Sequence, residues 1–321
     1  MEVAIIGGAG TVGSTTAYTL AVERPDLDLT LVDVDEDAAT GHAIDVRHGR
    51  ALTQLPQFGR DGPTGSVGSG PSAADAIADA DLAVVAASVP RPDDSAKRGG
   101  RAAFLDRNLE LAGEVAALLR EHDPIPVVVV SNPVDRIAYR IWRETGWDRS
   151  YVIGYSLSET ARTADRIARL RDVPPSSVYC PVAGEHGEHV LPLFSRLTID
   201  DEPATLTASE RETVVDYIRD VPYDVIALRG AEETSRWVTG QGVARLVRAV
   251  LDGGIEGDGT LCVSTPLEGE YGLEDVCLSV PVEIGRDGID RVVEWDLPDT
   301  EREGLRAAAE AIRADVAGGA D

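Results

Sequence analysis

A doubly wound parallel α/β sheet followed by a mixed α+β domain is the fold class that this sequence predicts. Three observations point to it. Residues 2–6, Glu-Val-Ala-Ile-Ile, form a short β-type run that leads straight into Gly8-Ala9-Gly10-Thr11-Val12-Gly13, and a helical pattern follows over 14–22. Strand-like and helix-like segments then alternate to about residue 150, which implies a parallel sheet covered on both faces. Beyond that point the elements mix, and the last strands read as an antiparallel group. The expected domains are 1–150, of Rossmann type and nucleotide-binding, and 151–321, substrate-binding and catalytic.

Each element has its own local warrant. Apolar runs place strands at Leu27 to Val34, Leu82 to Ala87 and Val127 to Val130, with a helix over 102–121. The stretch from Gly59 to Ser72 is rich in Gly, Ser and Pro and reads as a surface loop or a weak edge strand without chemistry. In the second half a helix is expected from Ser158 to Arg171. Short strands follow near Val178–Val182 and Leu191–Leu197, then helices near 208–219 and 223–252. Strands at Cys262–Ser264, Val276–Glu283 and Val292–Asp296 precede a final helix from about Thr300 to Val316. There is no internal repeat.

Composition narrows the function classes. The 321 residues carry 56 acidic against 30 basic side chains, a formal net charge of -26, and Lys97 is the only lysine. Nucleic-acid binders need a positive footprint, so that class is excluded. The acidic residues are spread along the chain, as in Asp33-Val34-Asp35-Glu36-Asp37 and Asp200-Asp201-Glu202. This composition resembles that of cytoplasmic proteins from extreme halophiles. Cys180, Cys262 and Cys277 are too few and too scattered for a disulfide framework or a zinc ribbon, and read as buried thiols. No secretory leader pattern and no apolar run long enough to span a membrane is present, so a soluble, cytoplasmic protein is expected.

Five motifs carry chemistry. In the first, Gly8, Gly10 and Gly13 let the backbone turn tightly, approach a pyrophosphate and pack helix on strand. Thr11 and Val12 open the helix whose N-terminus faces the phosphates. Asp33 ends the second strand, where an acid grips a ribose 2′-hydroxyl. Its charge favours NAD over NADP, because a carboxylate repels the extra phosphate. The second is Ser131-Asn132-Pro133-Val134-Asp135, directly after a strand; Asn132 is placed to hydrogen-bond substrate or cofactor, or else the motif is only an Asn-Pro turn. The third is Gly184-Glu185-His186-Gly187-Glu188, which exposes an imidazole suited to proton transfer. Its other readings are a surface histidine or, with His189, a metal ligand, although no further cluster supports a metal. The fourth is Ser158-Glu159-Thr160-Ala161-Arg162. Glu159 and Arg162 share one helical face, as a surface ion pair or as an orienter of His186 and a carboxylate clamp. The fifth runs from Ala86 through Arg91, Lys97, Arg98 and Arg101 to Asn108, a local positive cluster that suits an anionic ligand or is a solvated loop.

Together these motifs resemble the lactate/malate dehydrogenase family, almost end to end. The likeness extends to Gly41-His42-Ala43-Ile44-Asp45-Val46-Arg47-His48, similar to a family helix that packs between subunits, and to Val263-Ser264-Thr265, Tyr271-Gly272 and Leu278-Ser279-Val280-Pro281. The resemblance implies NAD as cofactor and a small 2-oxo or 2-hydroxy acid as substrate, malate above others, with a place in the tricarboxylic acid cycle. It implies a homotetramer or homodimer. By motif, His186 would be the proton donor and acceptor, oriented by Glu159, and Arg162 would bind the C1 carboxylate. Arg101 would polarise the reacting carbonyl, and Arg91 would meet a distal carboxylate. Asn132 would lie near the reacting oxygen, Asn108 would belong to the cofactor side, and the Asn132-Pro133 bond would be cis. A lactate or other 2-hydroxy-acid dehydrogenase, or a non-catalytic NAD-binding relative, are the alternatives. The sequence also departs from the family. Glu159 replaces an aspartate, Gly154-Tyr155-Ser156-Leu157 is a shortened glycine-rich stretch, and the loop between Arg91 and Arg101 is longer than usual. Ala87-Ser88 stands for Ala-Gly, and Thr234 or Ser235, beside Arg236, stands near the family's second-domain threonine.

The charge yields a first prediction. In molar KCl the Debye length falls to about 3 Å and self-repulsion of the acidic surface is screened. The melting temperature should therefore rise steadily from low to molar KCl. A flat or falling melting temperature in calorimetry contradicts the halophilic reading.

Overall fold

The structure, a computed structural model, describes residues 1–58, 62–70, 72–90, 105–230, 234–255 and 259–318. The first half contains β1 (Glu2–Ile6), α1 (Thr11–Glu23), β2 (Asp28–Val32), α2 (Glu36–Thr53), β3 (Val67–Ser69) and α3 (Ala73–Ala78). It continues with β4 (Leu82–Val85), α4 (Leu105–Leu119), β5 (Val127–Val129), α5 (Val134–Thr145) and β6 (Val152–Gly154). The strands pair in parallel in the order β3-β2-β1-β4-β5-β6. Helices cover both faces, so β1, β4 and β5 are apolar runs with nearly every side chain buried. The chain reverses its direction of growth between β1 and β4, the point where open α/β sheets bind ligands.

The second half contains α6 (Leu157–Arg171), β7 (Val178–Tyr179), β8 (Val182–Gly184), β9 (Val190–Pro192), β10 (Thr198–Ile199), β11 (Glu202–Pro203) and α7 (Ala208–Arg229). Then come α8 (Arg236–Asp252), β12 (Thr260–Glu268), β13 (Glu274–Gly285), β14 (Gly288–Val292) and α9 (Asp299–Gly318). Strands β12, β13, β8 and β9 extend the first sheet antiparallel beyond β6, while β7, β10 and β11 form a small sheet of their own. The junction is narrow: Ser264 pairs with Gly154, where a Cβ would lie 2.7 Å from the Ser264 Cβ. The helices also meet across the halves, because Gly240 of α8 lets α1 approach to within 2.6 Å of where a Cβ would sit. Cys180, Cys262 and Cys277 are all buried free thiols.

Several expected elements change their boundaries, and the strand expected near Val178–Val182 is split, into β7 of the small sheet and β8 of the large one. Helix α1 starts at Thr11 rather than at residue 14, because Gly10 is extended and already acts as the N-cap. The break expected near 220–222 is absent: α7 runs through buried Pro222 and ends at Gly230, whose φ of +110° suits a glycine. The strand expected over Leu191–Leu197 stops at Pro192 and gives way to a 3₁₀ turn at Phe194–Arg196, since proline has no N–H to continue a ladder. The last strand is Gly288–Val292, earlier than Val292–Asp296, because Gly285 pairs with Gly288 across a two-residue turn that fixes the register. The stretch from Gly59 to Ser72 does supply an edge strand, β3.

The tightest backbone approach lies beneath α1. A Cβ on Gly13 would fall 2.1 Å from the Gly7 carbonyl oxygen. Overpacking of this kind costs about 1–3 kcal/mol. Gly13→Ala should lower the urea midpoint accordingly at fixed salt, and weaken NADH binding; an unchanged midpoint would show that the loop yields without cost.

Candidate active site

The glycine loop forms a cradle at the carboxyl end of β1. The Gly7 and Gly8 amides both donate to the Val32 carbonyl, at 2.8 and 2.9 Å, which closes the turn against β2. Gly7 has φ +86°, and a Cβ there would lie 2.4 Å from the Ala87 nitrogen. Gly10 caps α1 with no side-chain hydrogen bond, so Thr11, Val12 and Gly13 open the helix without a side chain across its N-terminus. Such an end attracts anions. At the end of β2 the Asp33 carboxylate accepts from the Ala9 amide at 3.0 Å and the Asp35 amide at 3.2 Å, which holds it beside the glycine loop.

Asn132 follows β5, and the Asn132-Pro133 bond is cis. Its Oδ1 is buried and finds no hydrogen-bond partner among the described residues, as expected of an atom that serves a ligand. Asn108 is different. It is 1% exposed; its Oδ1 accepts from the Val89 amide at 2.9 Å and its Nδ2 donates to the Asn132 carbonyl at 2.8 Å. It braces the loop after β4 against the turn that carries Asn132. Sequence reasoning put Asn108 at the cofactor; within the chain its side chain is held by these two backbone groups. The Ser131 hydroxyl adds a second brace to the Ala87 carbonyl.

The third group of residues comes from the second half. Helix α6 starts at the end of β6 and carries Glu159 in its first turn, buried at 5% exposure. The Glu159 carboxylate meets two side chains from different segments. Its Oε2 lies 2.9 Å from His186 Nδ1, and its Oε1 accepts from Arg162 Nη1 at 3.0 Å. Glutamate thus reaches the imidazole with one methylene more than the aspartate of the resembled family. The Tyr155 hydroxyl steadies the start of the same helix, 2.9 Å from the Ser158 hydroxyl and donating to the Val238 carbonyl at 3.2 Å. Gly242 makes room for it; a Cβ there would be 2.2 Å from the Tyr155 oxygen.

Beneath His186 lies a cluster that sequence reasoning missed. Asp135, fully buried, accepts from the His186 amide at 2.8 Å. Arg136 binds Glu185 at 2.5 Å and Asp315 of α9. Asp135 and Glu185 stand inside the quoted motifs, but nothing in their spacing showed that α5 and the His186 loop would meet. Arg91 and Arg101 lie outside the described residues, as do Lys97 and Arg98. No group of three or more His, Cys, Asp or Glu among the described residues is placed to hold a metal, and none of their helices is long and apolar enough to cross a membrane.

The glycine cradle, the uncapped helix and the Asp33 carboxylate fit a dinucleotide, and the profiles of known families agree. The lactate/malate dehydrogenase NAD binding domain matches residues 1–154, and the alpha/beta C-terminal domain of the same family matches residues 159–321. The chain belongs to the lactate/malate dehydrogenase family. A malate dehydrogenase of Haloferax volcanii is 33% identical over 319 residues, 97% of each chain. An L-lactate dehydrogenase of Salinibacter ruber is 32% identical over 320 residues, 96% of this chain and 94% of that one. Among solved structures, the malate dehydrogenase of Aeropyrum pernix superposes with a TM-score of 0.84 at 28% identity, covering 98% of both chains. The protein is an NAD-dependent oxidoreductase acting on CH–OH donors.

Asp33 stands where a carboxylate would meet the cofactor ribose and disfavour the extra phosphate of NADP. Losing one hydrogen bond to a charged group costs about 1.5–3 kcal/mol, roughly a tenfold to hundredfold change. Asp33→Ala should raise the Kd for NADH by at least tenfold in a fluorescence titration and narrow the gap to NADPH. Unchanged discrimination between the two would remove Asp33 from cofactor selection.

Proposed function

We propose that this protein is a malate dehydrogenase that interconverts oxaloacetate and malate, with His186 as the acid and base. The observation that carries the reading is the buried Glu159 carboxylate shared between His186 Nδ1 and Arg162. It turns the imidazole so that Nε2 is the proton-transferring nitrogen, and keeps Arg162 oriented for a substrate carboxylate. Bound at the glycine cradle, the nicotinamide cofactor supplies or accepts the hydride. In reduction, protonated His186 gives its proton to the carbonyl oxygen. Arg101 stabilises the negative charge that develops there, and Asn132 adds a hydrogen bond beside it. Oxidation reverses each transfer. Glu159 keeps its charge through the cycle and balances the imidazolium when it forms.

Substrate choice rests on Arg91. A guanidinium paired with a distal carboxylate recognises shape as well as charge, whereas a methyl group leaves it without a partner. The likeness to malate dehydrogenases of Haloferax volcanii and Halobacterium salinarum supports the diacid, and the acidic composition supports a halophilic setting. The likeness to the Salinibacter ruber lactate dehydrogenase keeps a monoacid as the second reading. An oligomer, dimer or tetramer, and a cytoplasmic site of action complete the proposal.

Oxaloacetate should therefore exceed pyruvate in kcat/KM at high salt, by a hundredfold or more on the scale of a lost charge-assisted pairing. Arg91→Gln should erode that ratio. A wild type that prefers pyruvate overturns the malate assignment; an Arg91→Gln enzyme with an unchanged ratio removes Arg91 as the selector.

A further inference from the structure

We propose that Arg136 is a positioning residue for His186, and that through it the C-terminal helix α9 sets the turn from which the imidazole projects. The inference rests on the reading of His186 as the acid and base. His186 stands in the turn 185–189 between β8 and β9. The turn is narrow: the Glu185 amide donates to the His189 carbonyl at 3.1 Å, and the Gly187 amide donates to the Glu185 carbonyl at 2.8 Å. The Glu185 side chain folds back beneath it. Its Oε2 accepts from the His189 amide at 2.9 Å. A Cβ on Gly187 would lie 3.0 Å from the Glu185 Cδ, so the carboxylate leaves no room for a side chain directly after the imidazole. The position of this carboxylate therefore decides the shape of the turn around His186.

What fixes the carboxylate lies outside the turn. Glu185 is 8% exposed, and its Oε1 accepts from Arg136 Nη1 at 2.5 Å. Arg136 is buried in its turn, and Asp315 of α9 grips it through Nε at 3.1 Å and Nη2 at 2.5 Å. A guanidinium is planar, and its donors are fixed relative to one another. Two bonds to Asp315 along one edge therefore determine where Nη1 points on the other. The same nitrogen stands 4.0 Å from Asp135 Oδ2, so it balances both buried carboxylates under the turn. Helix α9 also packs against β8 and β9, the two strands that carry the turn. Among the described residues, the charged partners of Arg136 are Glu185, Asp315 and Asp135. It acts on the reaction through Glu185 and the turn, and the side chain that orients it comes from the far end of the chain.

Arg136→Lys keeps the buried positive charge but lacks the planar fork, so it separates charge from position. The measurement is single-turnover hydride transfer in molar KCl, with whichever of oxaloacetate and pyruvate reacts faster. A small displacement of a reacting group is costly, so Arg136→Lys should slow this step by about tenfold, with the Kd for NADH within about twofold of wild type. Asp315→Asn should slow it by about fivefold, as for residues coupled in one charge network. In an enzyme that already carries Glu185→Leu, Asp315→Asn should add almost nothing, because the path through Arg136 is already cut. An ion pair that only stabilises the fold lowers the melting temperature of each variant and leaves the single-turnover rate at the wild-type value; that result overturns the proposal. Equal effects of Asp315→Asn in the two backgrounds also overturn it. Should Arg136→Lys or Glu185→Leu fail to bind NADH, Asp315→Asn decides alone, since its side chain is 45% exposed and the fold tolerates the change: a wild-type rate is then the overturning result. His186→Asn is the control for the underlying reading. If that variant keeps its activity, His186 is not the acid and base, and the fault lies there and not with Arg136.

Discussion

Parallel pairing of β1, β4, β5 and β6 is the constraint on which the rest of the structure depends. Adjacent parallel strands end on the same edge of the sheet, so the segments that leave them must begin there together. The glycine loop and α1 leave β1, the Asn132 turn and α5 leave β5, and α6 leaves β6. Three helix N-termini thus open on one edge. The partial positive charge of such ends suits a dinucleotide pyrophosphate and carboxylate substrates. On a chain of net charge -26 this matters more than usual, because the bulk surface repels anions and the local backbone must attract them.

The charged groups of the site are arranged to tolerate burial. Isolated ions in a protein interior cost several kcal/mol each, and pairing is what makes them acceptable. Glu159 is shared between His186 and Arg162, and Arg136 is shared between Glu185 and Asp315. Burial pushes the Glu185 carboxyl up, but Arg136 and the His189 amide together outweigh it and hold it below its ordinary value. Glu159 reaches His186 across a longer arm than aspartate would, its Oε2 lying 2.9 Å from the imidazole Nδ1. Tyr155, packed against Gly242, fixes the helix start from which the longer arm extends.

Much of this was legible in the sequence, and the limits have physical causes. The glycine loop, Asp33, the cis bond at Asn132-Pro133 and the pairing of Glu159 with Arg162 follow from short-range spacing or from family resemblance, and both survive folding. Residue contacts between distant segments were not legible. Asp135 and His186 are 51 positions apart, and Arg136 and Asp315 are 179 apart. No periodicity links them. The bracing contacts of Asn108 were hidden for the same reason: its partners are backbone groups of two other loops. Pro222 misled because proline usually ends a helix, whereas here the buried packing of α7 carries the helix past it. Arg91, proposed to select the substrate, and Arg101, proposed to polarise its carbonyl, lie outside the described residues.

The three cysteines have a consequence beyond packing. All are buried, and burial pushes the Cys180 thiol up to about 12 and the Cys262 and Cys277 thiols higher still. The thiolate is the species that reacts with oxidants and alkylating agents, and none of these positions offers it. Labelling of these thiols in the folded protein by maleimide or iodoacetamide should therefore be slow. A single cysteine introduced at an exposed position such as Val34, which is 103% exposed, would be the accessible handle for a spin label or fluorophore with all three native cysteines left in place.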